Sequence, residues 1–178
     1  MIKLLMPDYT FDSYRDVTPA FLQSIGVHAL LIDIDNTLAP YEQPDADEHH
    51  RAWFDALAAA GIRAALISNN DRARVERFNA TLGLPAYWKC GKPSRKHLAR
   101  AMEALDARPG HTAVLGDQLL TDAFAGKRMG LRALIVPPIR DKKTLFFRAK
   151  RLLERPVMRA YYKRQAKERR AQEERRVP

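Results

Sequence analysis

The sequence predicts an α/β fold, with helices packed on both faces of a central parallel sheet. Two observations carry that reading. Short apolar runs recur along the chain at Ala29-Leu30-Leu31-Ile32, Ile62 to Ile67, Ala113-Val114-Leu115 and Leu131 to Val136, bounded by Gly, Asn or Pro. Near-continuous apolar runs of this length are what strands covered on both faces look like. Between them lie helical patterns at about 46–60, 71–82, 94–107 and 119–129. Strand and helix alternate throughout, which implies βαβ units and an α/β sandwich.

Ahead of the first run, Thr18-Pro19 followed by Ala20-Phe21-Leu22 reads as an N-cap with proline at the first helical position, so a short prelude helix ends near Gly26. A chain of 178 residues, 46% hydrophobic, accommodates one compact domain plus an appendage. Charge marks the boundary. Residues 1–139 hold 16 Lys+Arg against 16 Asp+Glu, whereas residues 140–178 hold 15 against 5, so the net charge of +10 lies in the tail. The division expected is therefore a domain over 1–139 and a basic helical or disordered tail over 140–178. Cys90 is the single cysteine, which excludes an intramolecular disulfide and a paired-Cys zinc site. Met1 to Met6 is too short an apolar run for a secretory signal, and no run approaches the roughly 18 residues of a membrane span. A cytoplasmic location is expected.

In open parallel sheets, ligands gather outside the carboxyl ends of the strands. Three of the apolar runs end in polar residues that suit this position. Asp33 and Asp35 follow the first, Ser68-Asn69-Asn70 the second, and Gly116-Asp117 the third. Two carboxylates two residues apart can share a pocket where a strand breaks into a loop, one attacking and the other shuttling protons; equally, Asp-x-Asp serves as turn and cap residues. A carboxylate nucleophile suits phosphoryl transfer, because an acyl phosphate forms and hydrolyses readily. Magnesium prefers oxygen ligands, and Asp33 with Asp117 supplies a carboxylate pair for it. Ser68 is placed either to receive phosphoryl oxygens with nearby N–H groups or as a helix cap. Lys92, in Cys90-Gly91-Lys92-Pro93, is either a neutraliser of phosphoryl charge or a solvated turn lysine. Asp117 and Asp122 read as a ligand pair or as acids favoured at a helix start.

The ordered set of an Asp pair, a Ser, a Lys with Pro, and Gly-Asp with a second Asp five residues on resembles the haloacid dehalogenase (HAD) phosphatase superfamily over about residues 28–138. The resemblance implies a Rossmannoid three-layer sandwich. It also implies Asp33 as nucleophile and magnesium ligand, and Asp35 as general acid/base and ligand through its backbone carbonyl. Ser68 and Asn69 beside it, with Lys92, would bind phosphate. Asp117 would bind magnesium, with Asp122 as its helper or as an orienter of Lys92. Only about ten residues separate Leu38 from the next helical pattern, and about ten lie between the helix after Ser68 and Lys92. Neither gap holds a cap domain, which is similar to the capless subfamily IIIA. Leu5-Met6-Pro7-Asp8, the Asp-x-Asp-Asn-Thr-Leu stretch, Gly91-Lys92-Pro93 and Gly116 to Asp122 resemble the YqeG family more closely. That family is related to phosphatases acting on phosphatidylglycerophosphate, so the resemblance implies a phosphorylated substrate and raises that phospholipid as one; a soluble sugar-phosphate or nucleotide phosphatase is the alternative.

In the tail, Leu145, Phe146, Ala149, Leu152 and Leu153 repeat at helical spacing among Lys142, Lys143, Arg148, Lys150, Arg151 and Arg155, and Pro156 is expected to kink the segment before Val157, Met158, Tyr161 and Tyr162. Such a helix either packs its apolar side on the sheet or lies on an anionic membrane surface, which would make the protein peripheral at the inner membrane. A third reading makes the tail an RNA- or ribosome-binding element on a HAD scaffold. Beyond Lys163 the chain is almost wholly polar, and a frayed helix or disorder is expected.

Overall fold

A computed structural model of the protein describes residues 2–140 and 145–174. Its centre is a six-stranded, wholly parallel sheet. The strands are β1 (Tyr9–Thr10), β2 (Ala29–Ile32), β3 (Arg63–Ile67), β4 (Ala86–Tyr87), β5 (Thr112–Gly116) and β6 (Arg132–Ile135), in the spatial order β1-β6-β5-β2-β3-β4. The four strands expected from apolar runs form the interior of this sheet. The two-residue edge strands β1 and β4 were not anticipated, because two residues carry no readable periodicity. From β2 the chain steps outward to β3 and β4, then returns to the other side of β2 for β5 and β6. That reversal opens a crevice at the carboxyl ends of β2, β3 and β5.

Alternate residues of the strands divide the core into two layers. Leu30, Ile32, Leu66, Leu115 and Leu134 face one cluster, with α2 (Pro19–Ser24), α3 (Glu48–Ala59) and α4 (Arg72–Asn79) supplying Leu22, Trp53, Phe54, Leu57, Val75 and Phe78. Leu31, Ala65, Ile67, Val114 and Ala133 face the other, against α5 (Lys96–Ala104), a five-residue π turn (Leu119–Ala123) and α6 (Phe124–Lys127). Each large apolar side chain removed from water this way contributes about 1.5–3 kcal/mol. A short α1 (Ile2–Leu5) adds Leu5 to the second layer. The result is the three-layer sandwich. The prelude helix forms as expected, with the Thr18 hydroxyl accepting from Phe21 N. The last expected helix begins instead as the π turn and is shorter than predicted.

No cap-sized insert occurs where one would sit. The segment 39–47 leads straight from the first motif to α3, and only β4 separates α4 from Lys92. In the first turn of α3 the buried His50 places its Nε2 2.8 Å from Leu38 O, pinning the turn that carries the first motif.

The tail forms one helix, α7 (Leu145–Glu174), with Pro156 inside it. One helical element spans Pro156, where a kink was expected, and it continues past Lys163, where a frayed helix or disorder was expected, to Glu174. Docking explains part of this. Glu154, Val157, Met158 and Tyr161 fall on one face, and Val157 joins the second core layer. Leu152 and Leu153, on the side expected either to pack on the sheet or to lie on a membrane, are 62% and 65% exposed. Lys142 and Lys143 lie outside the described residues, as do the side chains of Leu145, Phe146, Arg148, Ala149, Lys150 and Arg151. Among the described residues, no helix is long and apolar enough to cross a membrane.

Candidate functional site

The first motif leaves β2 as a tight turn. Asp33 N still donates to Leu115 O at 2.9 Å, extending the ladder by one residue, and then Thr37, Leu38 and Ala39 all donate to Ile34 O. Asn36 takes the left-handed conformation, with φ of 67°, which asparagine tolerates better than most residues. The strand therefore breaks between Asp33 and Asp35, and both carboxylates line one cavity of about 240 Å³ with Tyr41, Ser68, Asn69, Lys92 and Asp122.

Lys92 sits at the centre of this site rather than at a solvated turn. Its ammonium donates to Asp33 Oδ1 at 2.6 Å, to Asp122 Oδ1 at 2.7 Å and to Ile67 O at 3.0 Å. All three donors are thereby used. Gly91, with φ of +62°, supplies the left-handed turn just before it. Asn69 braces the loop, accepting from Lys92 N at 2.7 Å and donating to Lys92 O at 3.5 Å. Asn69 is thus held against the Lys92 backbone.

Asp122 reaches Lys92 because Gly116 makes room. A Cβ at Gly116 would lie 2.4 Å from the Asp122 Cβ, closer than real Cβ contacts occur. Asp122 Oδ2 accepts from Gln118 N at 3.3 Å and from the Thr121 hydroxyl at 3.1 Å, so the π turn is folded around this side chain. Asp35 faces the opposite wall. Its Oδ2 accepts from the Ser68 hydroxyl at 3.4 Å and from Asn70 Nδ2 at 3.1 Å, and its Oδ1 accepts from Arg74 Nε at 3.1 Å.

Asp33, Asp117 and Asp122 are all buried, and their carboxylate oxygens lie within 4.8 Å of one another. Three carboxylates stand together, and one ammonium bonds two of them, Asp33 and Asp122. Burial first, and then the charges of Asp122 and Asp117, outweigh Lys92 and push the Asp33 carboxyl up to about 8. For Lys92, burial acts to lower the ammonium's pKa but is outweighed by Asp122 and Asp33, which hold it well above the ordinary lysine range. Burial also raises the Tyr41 phenol, with help from Asp35, Asp33 and Asp117. The site is short of positive charge and rich in hard oxygen donors, which fits a small divalent cation between Asp33 and Asp117. The three acids that converge include Asp122, whereas the Asp35 side chain turns away from them.

Sequence reasoning missed Thr37, whose hydroxyl donates to Asp33 Oδ2 at 3.2 Å, and Arg74, and it placed Asn70 at the strand end without giving it a role. Asn70 had a signal in its place beside Ser68. Arg74 had none, since a single arginine one turn into a polar helix is ordinary.

A second cavity of about 790 Å³ runs from Asp117 along α7, walled by Phe11, Pro137, Pro138, Met158 and Tyr162 with Arg155 and Arg159.

A family model described as HAD-hydrolase-like matches residues 89–138, the segment holding Lys92, Asp117 and Asp122. Over 158 residues, covering 89% of this chain and 92% of the relative, the sequence is 32% identical to the Bacillus subtilis (strain 168) protein named "Probable phosphatase YqeG". Among solved structures, an uncharacterized protein from Listeria monocytogenes serotype 4b is similar with a TM-score of 0.52 at 14% identity, over 66% of this chain and 85% of that one. The cobalt-bound deoxy-D-mannose-octulosonate 8-phosphate phosphatase of Haemophilus influenzae matches with a TM-score of 0.47 at 16% identity, over 76% of this chain and 90% of that one. With a relative matched at this identity along nearly its whole length, the chain belongs to the YqeG family of HAD-type phosphatases.

Proposed function

We propose that the protein is a magnesium-dependent phosphomonoester hydrolase that works through an aspartyl phosphate on Asp33. The observation that carries this reading is the buried set in which Lys92 bridges Asp33 and Asp122 while Asp117 stands beside them. A buried nucleophile needs its charge balanced by groups that stay fixed while phosphate comes and goes, and this arrangement supplies them.

In the first step an Asp33 carboxylate oxygen attacks phosphorus, and the bond from phosphorus to the leaving oxygen breaks. Asp35 gives its proton to that oxygen. In the second step Asp35 takes a proton from water, whose oxygen attacks phosphorus, so that inorganic phosphate departs and the Asp33 carboxylate is restored. Ser68 and Lys92 hold the phosphoryl oxygens, Lys92 by redirecting the donor it gives to Asp33 in the structure, Asn69 holds the Lys92 loop, and Asp122 keeps Lys92 in place beside Asp33. Asp33, Asp117 and the Asp35 backbone carbonyl are the ligands for Mg2+, which screens the repulsion between carboxylate and phosphate when bound.

For the substrate we propose a phosphomonoester with a large leaving group, phosphatidylglycerophosphate being the first to test, hydrolysed at an anionic membrane surface. Two features support this: among the described residues the site carries no covering insert, and α7 exposes Leu152, Leu153 and Tyr162 beside arginines. The full chain is incubated with Mg2+ and a panel of phosphate esters, in vesicles for the lipid. Release of phosphate from the lipid, abolished by Asp33→Asn and by chelation, is expected. Turnover of soluble sugar phosphates with the lipid untouched would overturn the lipid assignment alone, whereas full activity in Asp33→Asn would overturn the mechanism.

A further inference from the structure

Among the described side chains, Glu154 is the one acidic residue on the face that α7 lays against the body. It is only 4% exposed, and its stripe mates at spacings of three, four and seven are Val157, Met158 and Tyr161. An apolar residue would fill such a position at less cost, since a buried carboxylate requires compensating donors. Glu154 finds them in the backbone of the π turn. Its Oε1 accepts from Leu119 N at 2.8 Å and from Leu120 N at 3.2 Å.

Those two amides begin the turn that directly follows Asp117 and Gln118. The same turn is held at its other end by Asp122, which accepts from Gln118 N and binds Lys92. The loop between Asp117 and Asp122 is therefore gripped twice, by a carboxylate of its own and by one from a helix more than thirty residues on. Only the second grip depends on α7. The cavity that runs from Asp117 along α7 is lined by Glu154 as well, so the carboxylate stands where that loop meets the helix.

We propose that Glu154 is a positioning residue for the metal site, holding the Leu119 and Leu120 amides so that Asp117 stays at its distance from Asp33. The role rests on the reading of Asp33 and Asp117 as Mg2+ ligands. It makes α7 part of the catalytic body rather than an attached tail, because no other carboxylate is bonded to those two amides among the described residues.

The test uses the full chain and Mg2+ alone as the probe. Mg2+ affinity is measured by calorimetry for the parent protein, Asp117→Asn, Glu154→Ala, Glu154→Gln and Val157→Ala, with amide hydrogen exchange followed over residues 117–123. Loss of binding in Asp117→Asn establishes the metal reading by itself, and a parent protein that binds no Mg2+ overturns that reading and this role together. Given binding, Glu154→Ala is expected to weaken Mg2+ at least tenfold and to speed exchange at Leu119 and Leu120. Glu154→Gln, whose amide oxygen still accepts, should recover most of the affinity. Val157→Ala loosens the same helix without touching the two amides and should keep Mg2+ affinity within about twofold. Unchanged affinity in Glu154→Ala, or an equal loss in Val157→Ala, overturns the proposal. Should Glu154→Ala fail to fold, Glu154→Met, similar in size but unable to accept from the two amides, takes its place: affinity at least tenfold below that of Glu154→Gln supports the role, and equal affinity in the two overturns it.

Discussion

Removing divalent cations should make the protein's stability fall with rising pH, and the charge imbalance around Lys92 sets the size of the effect. The Asp33 carboxyl is raised from 3.8 to about 8, first by burial and then by Asp122 and Asp117, against the opposing pull of Lys92. A carboxyl whose pKa is higher in the folded than in the unfolded chain binds more protons when folded. Its contribution to stability is complete below the unfolded value of 3.8 and is lost as pH rises towards about 8. The window spans about four pH units at about 1.36 kcal/mol each, which caps the loss near about 6 kcal/mol. That is comparable to the whole stability of a small domain. Mg2+ bound at Asp33 and Asp117 favours the ionised carboxylate and should restore what is lost. The assay is thermal unfolding in chelator and in excess Mg2+ between pH 5 and 9, on the parent and on Asp33→Asn. In chelator the parent's Tm should fall through this window, the Mg2+-induced rise should grow with pH, and Asp33→Asn should flatten both. A parent Tm that rises with pH in chelator, or a Mg2+ shift equal at pH 5.5 and 8.5, would refute the electrostatic account.

Three further outcomes follow from the same contacts. Gly116→Ala places a Cβ 2.4 Å from that of Asp122, so denaturant unfolding should show a loss of about 1–3 kcal/mol with reduced kcat, because Asp122 must shift off Lys92. Arg74→Lys keeps the charge but replaces the planar fork, whose Nε and Nη1 donate separately to Asp35 Oδ1 and Pro44 O, by a single nitrogen, so kcat should fall about 10- to 100-fold with KM little changed in steady-state kinetics. Lys92→Met leaves Asp33 and Asp122 facing each other without their shared cation, and chemical denaturation near pH 8 should reveal a loss of about 3–5 kcal/mol that narrows as the pH is lowered and Asp33 takes up a proton.

The interior of the sheet was legible because β2, β3, β5 and β6 are covered on both faces and so read as apolar runs. Their carboxyl ends announced Asp33, Ser68 and Asp117 for the same reason: polar residues stand out where such a run stops. Lys92 was harder to read, since Gly-Lys-Pro is equally a surface turn. Only folding shows that the loop carries its ammonium inward between Asp33 and Asp122. Arg74 and Glu154 were not legible as site residues. Each lies on a helix rich in charge, and its partner is distant in sequence, Asp35 for the one and the Leu119 and Leu120 amides for the other. For the tail the sequence left open whether Leu152 and Leu153 pack on the sheet or face outward; they are exposed, and the contacts run through Glu154, Val157 and Tyr161, a stripe whose first member is an acid that hydropathy discounts.

The central claim is that phosphate passes through Asp33, and trapping that bond tests it most directly. The full chain is mixed with Mg2+ and a hydrolysed phosphomonoester, quenched in acid during turnover, and reduced with borohydride, which converts an acyl phosphate to the alcohol; the digest is then read by mass spectrometry. The account predicts the reduced side chain at position 33 alone, dependent on Mg2+ and substrate and absent from Asp33→Asn. Modification at another residue, or turnover with position 33 never modified while a control acyl phosphate is trapped under the same quench, would contradict it.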